Sequence, residues 1–123
     1  MAEYRLTLEE RPGYLYALAE GERTAENMTR FLGDVHEACQ RLGRTAALIE
    51  VGLEGPSLGI GTIYGIITAR APTGVLLNRI AYVERSAGKN TGAQFAVDVA
   101  VNRGVNLRMF ATAADARRWI EAP

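Results

Sequence analysis

The chain has 123 residues and a mass of 13.4 kDa, room for one domain spanning residues 1–123 and one core. Apolar residues make up 48% and charged residues 23%, which excludes general disorder. Lys plus Arg is 14 and Asp plus Glu is 14, so the basic excess that releases counterions from nucleic acid is missing, and no nucleic-acid partner is expected. The single cysteine, Cys39, can form no internal disulfide. The opening Met-Ala-Glu-Tyr-Arg lacks the basic-then-apolar pattern of a signal peptide. The longest stretch without a formal charge, Gly55 to Ala69, is 15 residues with four glycines, short of the roughly 20 apolar residues of a spanning helix. A cytoplasmic location without a transmembrane segment is the expectation.

Tyr4, Leu6 and Leu8 alternate with Arg5 and Thr7, the pattern of a half-buried strand. Arg11-Pro12-Gly13 predicts a turn, and Tyr14 to Ala19 a second strand, so the chain opens on a hairpin. Thr24 is placed to cap a helix, with Glu26 in its first turn. Met28, Phe31, Leu32, Val35, Cys39 and Leu42 make one helical stripe, and Gly43 follows its end. Ala46 to Val51 reads as a strand buried on both faces.

Gly55-Pro56-Ser57 breaks the chain, and Ser57 is expected to cap a second helix. Ile60, Ile63, Tyr64, Ile67 and Ala71 form its expected inner stripe. Ile66 falls off that stripe and is expected to be exposed or at a dimer seam. Gly59, Gly61 and Gly65 each weaken the helix by about 1 kcal/mol relative to Ala. Pro72 to Gly74 is expected to end it. Arg79 to Val83 predicts a strand and Ser86 to Gly92 a polar loop. A helix to about Arg103 follows, with Phe95, Ala96, Val99 and Ala100 inward. Asn106 to Phe110 is the last strand. Thr112, with Asp115 three residues on, opens a closing helix anchored by Ala116, Trp119 and Ile120.

The order is β-β-α-β-α-β-α-β-α, an α/β class with a mostly parallel central sheet and helices packed on it. It resembles the STAS fold of the sporulation anti-sigma-factor antagonist SpoIIAA, and more closely the small bacterial SpoIIAA-like (STAS/SEC14-like) proteins. Gly21-Glu22-Arg23-Thr24, Leu53-Glu54-Gly55-Pro56 and Ala100-Val101-Asn102-Arg103-Gly104 carry the likeness. So do Arg108-Met109-Phe110 and the closing Ala-Asp-Ala-Arg-Arg-Trp-Ile. In anti-sigma-factor antagonists a Ser at the start of the second helix, within Asp-Ser-Ser-Gly-Leu-Gly, is phosphorylated by a partner kinase. The matching stretch here is Pro56-Ser57-Leu58-Gly59-Ile60-Gly61, which puts Leu58 at that Ser and Ser57 one residue before it. The resemblance implies that the second helix and neighbouring loops face a partner.

Candidate partner- or ligand-binding residues are therefore Gly55, Ser57, Leu58, Gly59, Gly61 and Ile66, with Lys89 and Asn90 in the loop after the fourth strand. Ser57 can accept phosphate or serve as a cap; either suits a helix start. Gly88-Lys89-Asn90-Thr91 has part of a phosphate loop, without its first Gly, and equally suits a polar loop. His36 and Cys39 share one helix, so no zinc set can be built from them, and Cys39 continues the core stripe. Glu50 and Glu54 flank a strand end, placed for acid–base work or for a salt bridge with Arg79 or Arg85. Arg103, Arg108, Arg117 and Arg118 make a basic patch or a solvated face. No nucleophile–base set is recognisable. The expected function is a non-enzymatic binding domain without a cofactor, meeting a protein partner or a second copy of itself. The alternative is a carrier of a lipid or small apolar ligand, which the SEC14-like part of the resemblance implies.

Overall fold

The structure, a computed structural model, describes residues 3–85 and 92–123. Its elements are β1 (Tyr4–Arg11), β2 (Tyr14–Glu22), α1 (Ala25–Leu42), β3 (Ala46–Glu54), α2 (Ile60–Gly74), β4 (Arg79–Glu84), α3 (Gly92–Asn102), β5 (Leu107–Phe110) and α4 (Ala113–Glu121). This is the expected order, with the first four strands running further at their carboxyl ends than the apolar runs alone indicate.

The sheet order is β1-β2-β3-β4-β5, so each strand pairs with its neighbour in the chain. β1 is antiparallel to β2, and the other pairs are parallel. Every parallel crossover steps in the same direction. Right-handed connections then place all the crossover helices on one face. The core agrees: Phe31, Val35 and Cys39 of α1, Ala71 of α2 and Val97 of α3 pack over Leu15, Ala17, Ile49, Val51 and Ile80. α4 lies on the opposite face, where Ala116 and Ile120 meet Leu48, Ala81 and Val83, and Trp119 meets Phe110.

The caps of α1 follow the sequence. Thr24 accepts the Asn27 amide at 3.0 Å, and Gly43 ends the helix at φ 67, where a side chain would be strained. Thr112 likewise caps α4 by accepting the Asp115 amide at 3.1 Å.

Helix α2 departs from expectation in its start and in its rotation. Ser57 is not its cap: Gly55, at φ 126, turns the chain, and the segment stays non-helical until the Gly59 carbonyl accepts the Ile63 amide at 3.0 Å. Gly59 is the N-cap and offers no side-chain bond. The helix ends at Gly74, within the expected Pro72 to Gly74 stretch, and its last turn is closed by the Val75 amide on the Ala71 carbonyl at 3.0 Å. The helix is also rotated relative to the expected stripe. Ile63, Ala71 and Gly74 are buried and Ile66 and Ile67 half-buried, whereas Ile60 and Tyr64 point to solvent. In α3 the buried side is Ala93, Val97, Val99 and Ala100, with Phe95 and Ala96 half-buried.

Candidate functional site

The carboxyl ends of β2, β3 and β4 converge on one charged pair. Arg23 leaves β2 for α1 with its backbone amide bonded to the Glu54 carbonyl at 2.7 Å. Its Nη2 donates to the Leu53 carbonyl at 2.9 Å and to Glu84 Oε1 at 2.7 Å. Tyr82 donates its hydroxyl to Glu84 Oε2 at 2.8 Å. Arg23 is 8% exposed and Glu84 2%. A pair this deep has lost its hydration, so it persists because each charge is matched by the other and by further hydrogen bonds. Burial, and then the Glu84 charge, push the Tyr82 hydroxyl well above its ordinary range and keep it protonated.

Above this floor is a cavity of about 40 Å³, walled by Met28 of α1, Leu58 before α2, Ile63, Ile66 and Ile67 of α2, and Ala93 and Ala96 of α3. A second cavity of about 50 Å³ lies deeper beneath α2, among Val35, Ile49, Ile80 and Val105. Ile67 borders both. Leu58, standing where the phosphorylated Ser of anti-sigma-factor antagonists falls, is half-buried and apolar in contact. Ile66, expected to be exposed or at a dimer seam, is half-buried and lines the first cavity. Gly55, Ser57, Gly59 and Gly61 are exposed around the entrance to α2. Lys89 and Asn90, with the rest of the Gly88–Thr91 stretch, lie outside the described residues.

The outer face of α2 is the second feature. Ile60 is 64% exposed, Tyr64 48%, and Leu76 just after the helix 72%. Gly61 and Gly65 beside them have open space where a Cβ would stand. Arg70 is the helix's one charged residue, and it folds back on α1: a Cβ at Gly33 would sit 3.0 Å from its Nη2. Thr68 donates its hydroxyl to the Tyr64 carbonyl at 2.8 Å. Arg103 donates to the Tyr64 hydroxyl at 2.9 Å, its guanidinium 5.7 Å from the ring centroid. Between α2 and α3 runs an open groove of about 630 Å³, bordered by Tyr64, Thr68, Pro72, Val75 and Arg103.

The remaining candidates separate. Glu50 accepts from Arg85 at 2.7 Å and from Tyr16 at 2.8 Å, on the sheet face that carries α4. Burial raises its carboxyl, but the hydrogen bonds and the Arg85 and Arg11 charges outweigh it, and the net displacement is downward. Burial and the Glu50 bond push the Tyr16 hydroxyl up to about 12. Glu54 is exposed and does not join them. Arg79 donates to the Trp119 and Ala122 carbonyls at the end of α4. Cys39 is buried, its thiol pushed up to about 11 by desolvation. Desolvation and then the Arg70 charge hold His36 below its ordinary value. Among the described residues no group of three or more His, Cys, Asp or Glu could hold a metal, and no helix is long and apolar enough to cross a membrane.

Sequence reading missed the Arg23–Glu84 pair and the true outer face of α2. For Glu84 the signal was the alternation Ile80, Tyr82, Glu84, which aims the carboxylate inward with two core residues. For α2 it was the alignment of Ile60 and Tyr64 with Gly61 and Gly65, one turn apart in each case.

The chain matches the crystal structure of an uncharacterized protein of the DUF3478 family from Shewanella loihica PV-4. The TM-score is 0.58 with 18% identity, over 98% of this chain and 95% of that one. That protein is described as having a SpoIIAA-like fold. This chain has a SpoIIAA-like fold too. At this identity the likeness carries the architecture alone. No protein-family model and no curated protein matches the sequence.

Proposed function

We propose that this SpoIIAA-like protein is a non-enzymatic binding module that meets a protein through the outer face of α2. The observation that carries the reading is the exposure of Ile60, Tyr64 and Leu76 along a helix whose one charge is turned inward. Scattered exposed apolar residues are ordinary, but a contiguous apolar strip is a contact surface. The chemistry at the strand ends supports the same reading. Both Glu84 oxygens are engaged, and Tyr82 is held protonated, so the cluster fixes the α1, β3 and β4 ends rather than exchanging protons. Ser57, exposed beside this face, stands where a phosphate would add charge to the contact.

The test is retention of partner proteins, identified by mass spectrometry, on the tagged chain in extracts of cells that naturally produce it. Partners held by the wild type are expected to be lost with Ile60→Glu and Tyr64→Glu. Partners retained by both variants would remove the α2 face from the reading.

The second reading, a carrier of a small apolar ligand, is favoured by the cavities beneath α2. Their volumes of about 40 and 50 Å³ compare with roughly 300–1,000 Å³ for pockets that enclose drug-sized ligands. A carrier must therefore lift α2 to load, which makes this the weaker reading. Native mass spectrometry of the purified protein decides it: a bound lipid-sized mass supports the carrier, and the bare chain mass counts against it.

A further inference from the structure

Strand β1 is an edge of the sheet, and its outer side is open. The Glu22 amide donates to the Glu3 carbonyl at 2.8 Å, so these two residues are a hydrogen-bonded pair of the antiparallel ladder. Such pairs alternate along a strand. Arg5, Thr7 and Glu9 therefore spend their backbone groups on β2, while Tyr4, Leu6, Leu8 and Glu10 turn theirs outward. No other backbone group among the described residues takes these up. Edge strands are ordinarily kept from pairing by shortness, proline, a bulge or charges of one sign. At the other edge β5 has only four residues. β1 has eight, contains no proline, and keeps an unbroken register with β2 from Tyr4 to Arg11. Its charges are of both signs.

The order of those charges selects the occupant. Two copies of β1 pairing antiparallel about a two-fold axis normal to the sheet keep their faces, so each residue meets one from its own face. The pairing must then centre on a single residue. Centred on Leu6, it sets Glu3 against Glu9; centred on Leu8, it sets Arg5 against Arg11. Both oppose like charges. Centred on Thr7, it sets Arg5 against Glu9 twice, Leu6 against Leu8 twice, and Tyr4 against Glu10. No like charges meet in that register. The outward groups of Leu6 and Leu8 exchange hydrogen bonds there, and Arg5 and Glu9 fall at a non-hydrogen-bonded position, where side chains lie closest. Leu8, exposed in the single chain, gains the partner copy's Leu6 beside it. Arg5 and Glu9 are held in the single chain by Glu3 and Arg11, in ion pairs open to solvent that cost little to exchange.

We infer that β1 is the seam of a symmetric homodimer, in which two copies of the strand pair antiparallel about Thr7 and join their sheets into one. The seam is separate from the α2 face, and each is tested without the other. The test is sedimentation equilibrium of the full chain from about 1 µM to about 1 mM. The mass is expected to rise from 13.4 kDa toward twice that value. Arg5→Glu or Glu9→Arg alone sets like charges against each other at both ends of the seam and should weaken the dimer by roughly tenfold or more. Arg5→Glu combined with Glu9→Arg restores opposite charges and should recover the association. Arg117→Glu on α4, the same change of charge away from the seam, should leave the dimer intact. Leu8→Pro removes an outward N–H that β2 does not use, so it should keep the circular dichroism of the wild type and lose the dimer. A constant 13.4 kDa across the range, a dimer indifferent to both single reversals, or no recovery in the double variant overturns the inference. Where a single reversal lowers the thermal midpoint at low concentration, Leu8→Pro decides, and a dimer that survives it overturns the inference. If the chain stays monomeric yet Leu8→Pro releases a retained protein, the edge belongs to another protein's strand and the homodimer fails.

Discussion

Glu84 ends β4 and continues the inward alternation of Ile80 and Tyr82, which places a carboxylate where a third apolar residue would serve the core. Arg23, 61 residues earlier in the chain, supplies the opposite charge, and the Tyr82 hydroxyl a further hydrogen bond, that make that placement tolerable. The pair joins the carboxyl ends of three strands, so its removal acts on all of them. Cutting one partner leaves an uncompensated buried charge, and Glu84→Ala or Arg23→Ala should each cost about 3–5 kcal/mol. An apolar pair of similar volume leaves no such charge. Arg23→Met combined with Glu84→Leu should therefore lose much less than the two alanine variants' costs added together, as urea unfolding midpoints and slopes would report. Additive losses would mean that the two side chains act independently despite their 2.7 Å contact.

At the scale of elements, α1 and α2 show what a sequence can and cannot convey. In α1 the apolar stripe from Met28 to Leu42 alternates with a charged face bearing Glu26, Arg30, Glu37 and Arg41, so only one rotation buries the right side. Thr24 and Gly43 mark its ends for local chemical reasons, and both act as read. α2 has Ile60, Ile63, Tyr64, Ile66 and Ile67 spread around its circumference, with glycines between and one charge near its end. No polar face fixes its phase, and the rotation is decided by packing against α1 and α3. Its start was equally illegible, because Gly59 caps without a side-chain bond while Ser57 offers the residue type without the position. The Arg23–Glu84 contact was hidden for another reason: pairing across that separation depends on sheet register, which no local pattern encodes. A consequence belongs to this scale. Gly61→Ala adds a Cβ in open space at a non-strained helical position, so the isolated fold should gain roughly 0.5–1 kcal/mol. Thermal unfolding at low protein concentration, where association does not contribute, would register the gain.

For the molecule as a whole, pH below neutral acts through two displaced groups among the described residues, on opposite faces of the sheet. His36 has a folded pKa held below 6.5 by desolvation and then by Arg70. Below 6.5 the unfolded chain takes up that proton more readily than the folded one, so stability is complete above this value and lost as pH falls through it toward the folded pKa. The slope in that window is at most about 1.4 kcal/mol per pH unit for one group. Glu50 has a folded pKa displaced below 4.5, so its contribution is present above 4.5 and disappears as pH falls further. Urea midpoints measured from neutral to strongly acid solution should therefore fall in two stages. His36→Gln should abolish the upper stage and spare the lower; an unchanged upper stage would assign it to another group.

Because neighbouring strands in space are also neighbours along the chain, construction can follow the direction of synthesis. The first hairpin, α1 and β3 can associate before the residues of β4 have left the ribosome, and each later strand finds its place already exposed. α4, made after all five strands, is the one that seals the far side of the sheet over Leu48 and Ala81. A nascent chain of this design thus keeps one sticky surface open until α4 has emerged, and the interval before then is when it most needs shelter.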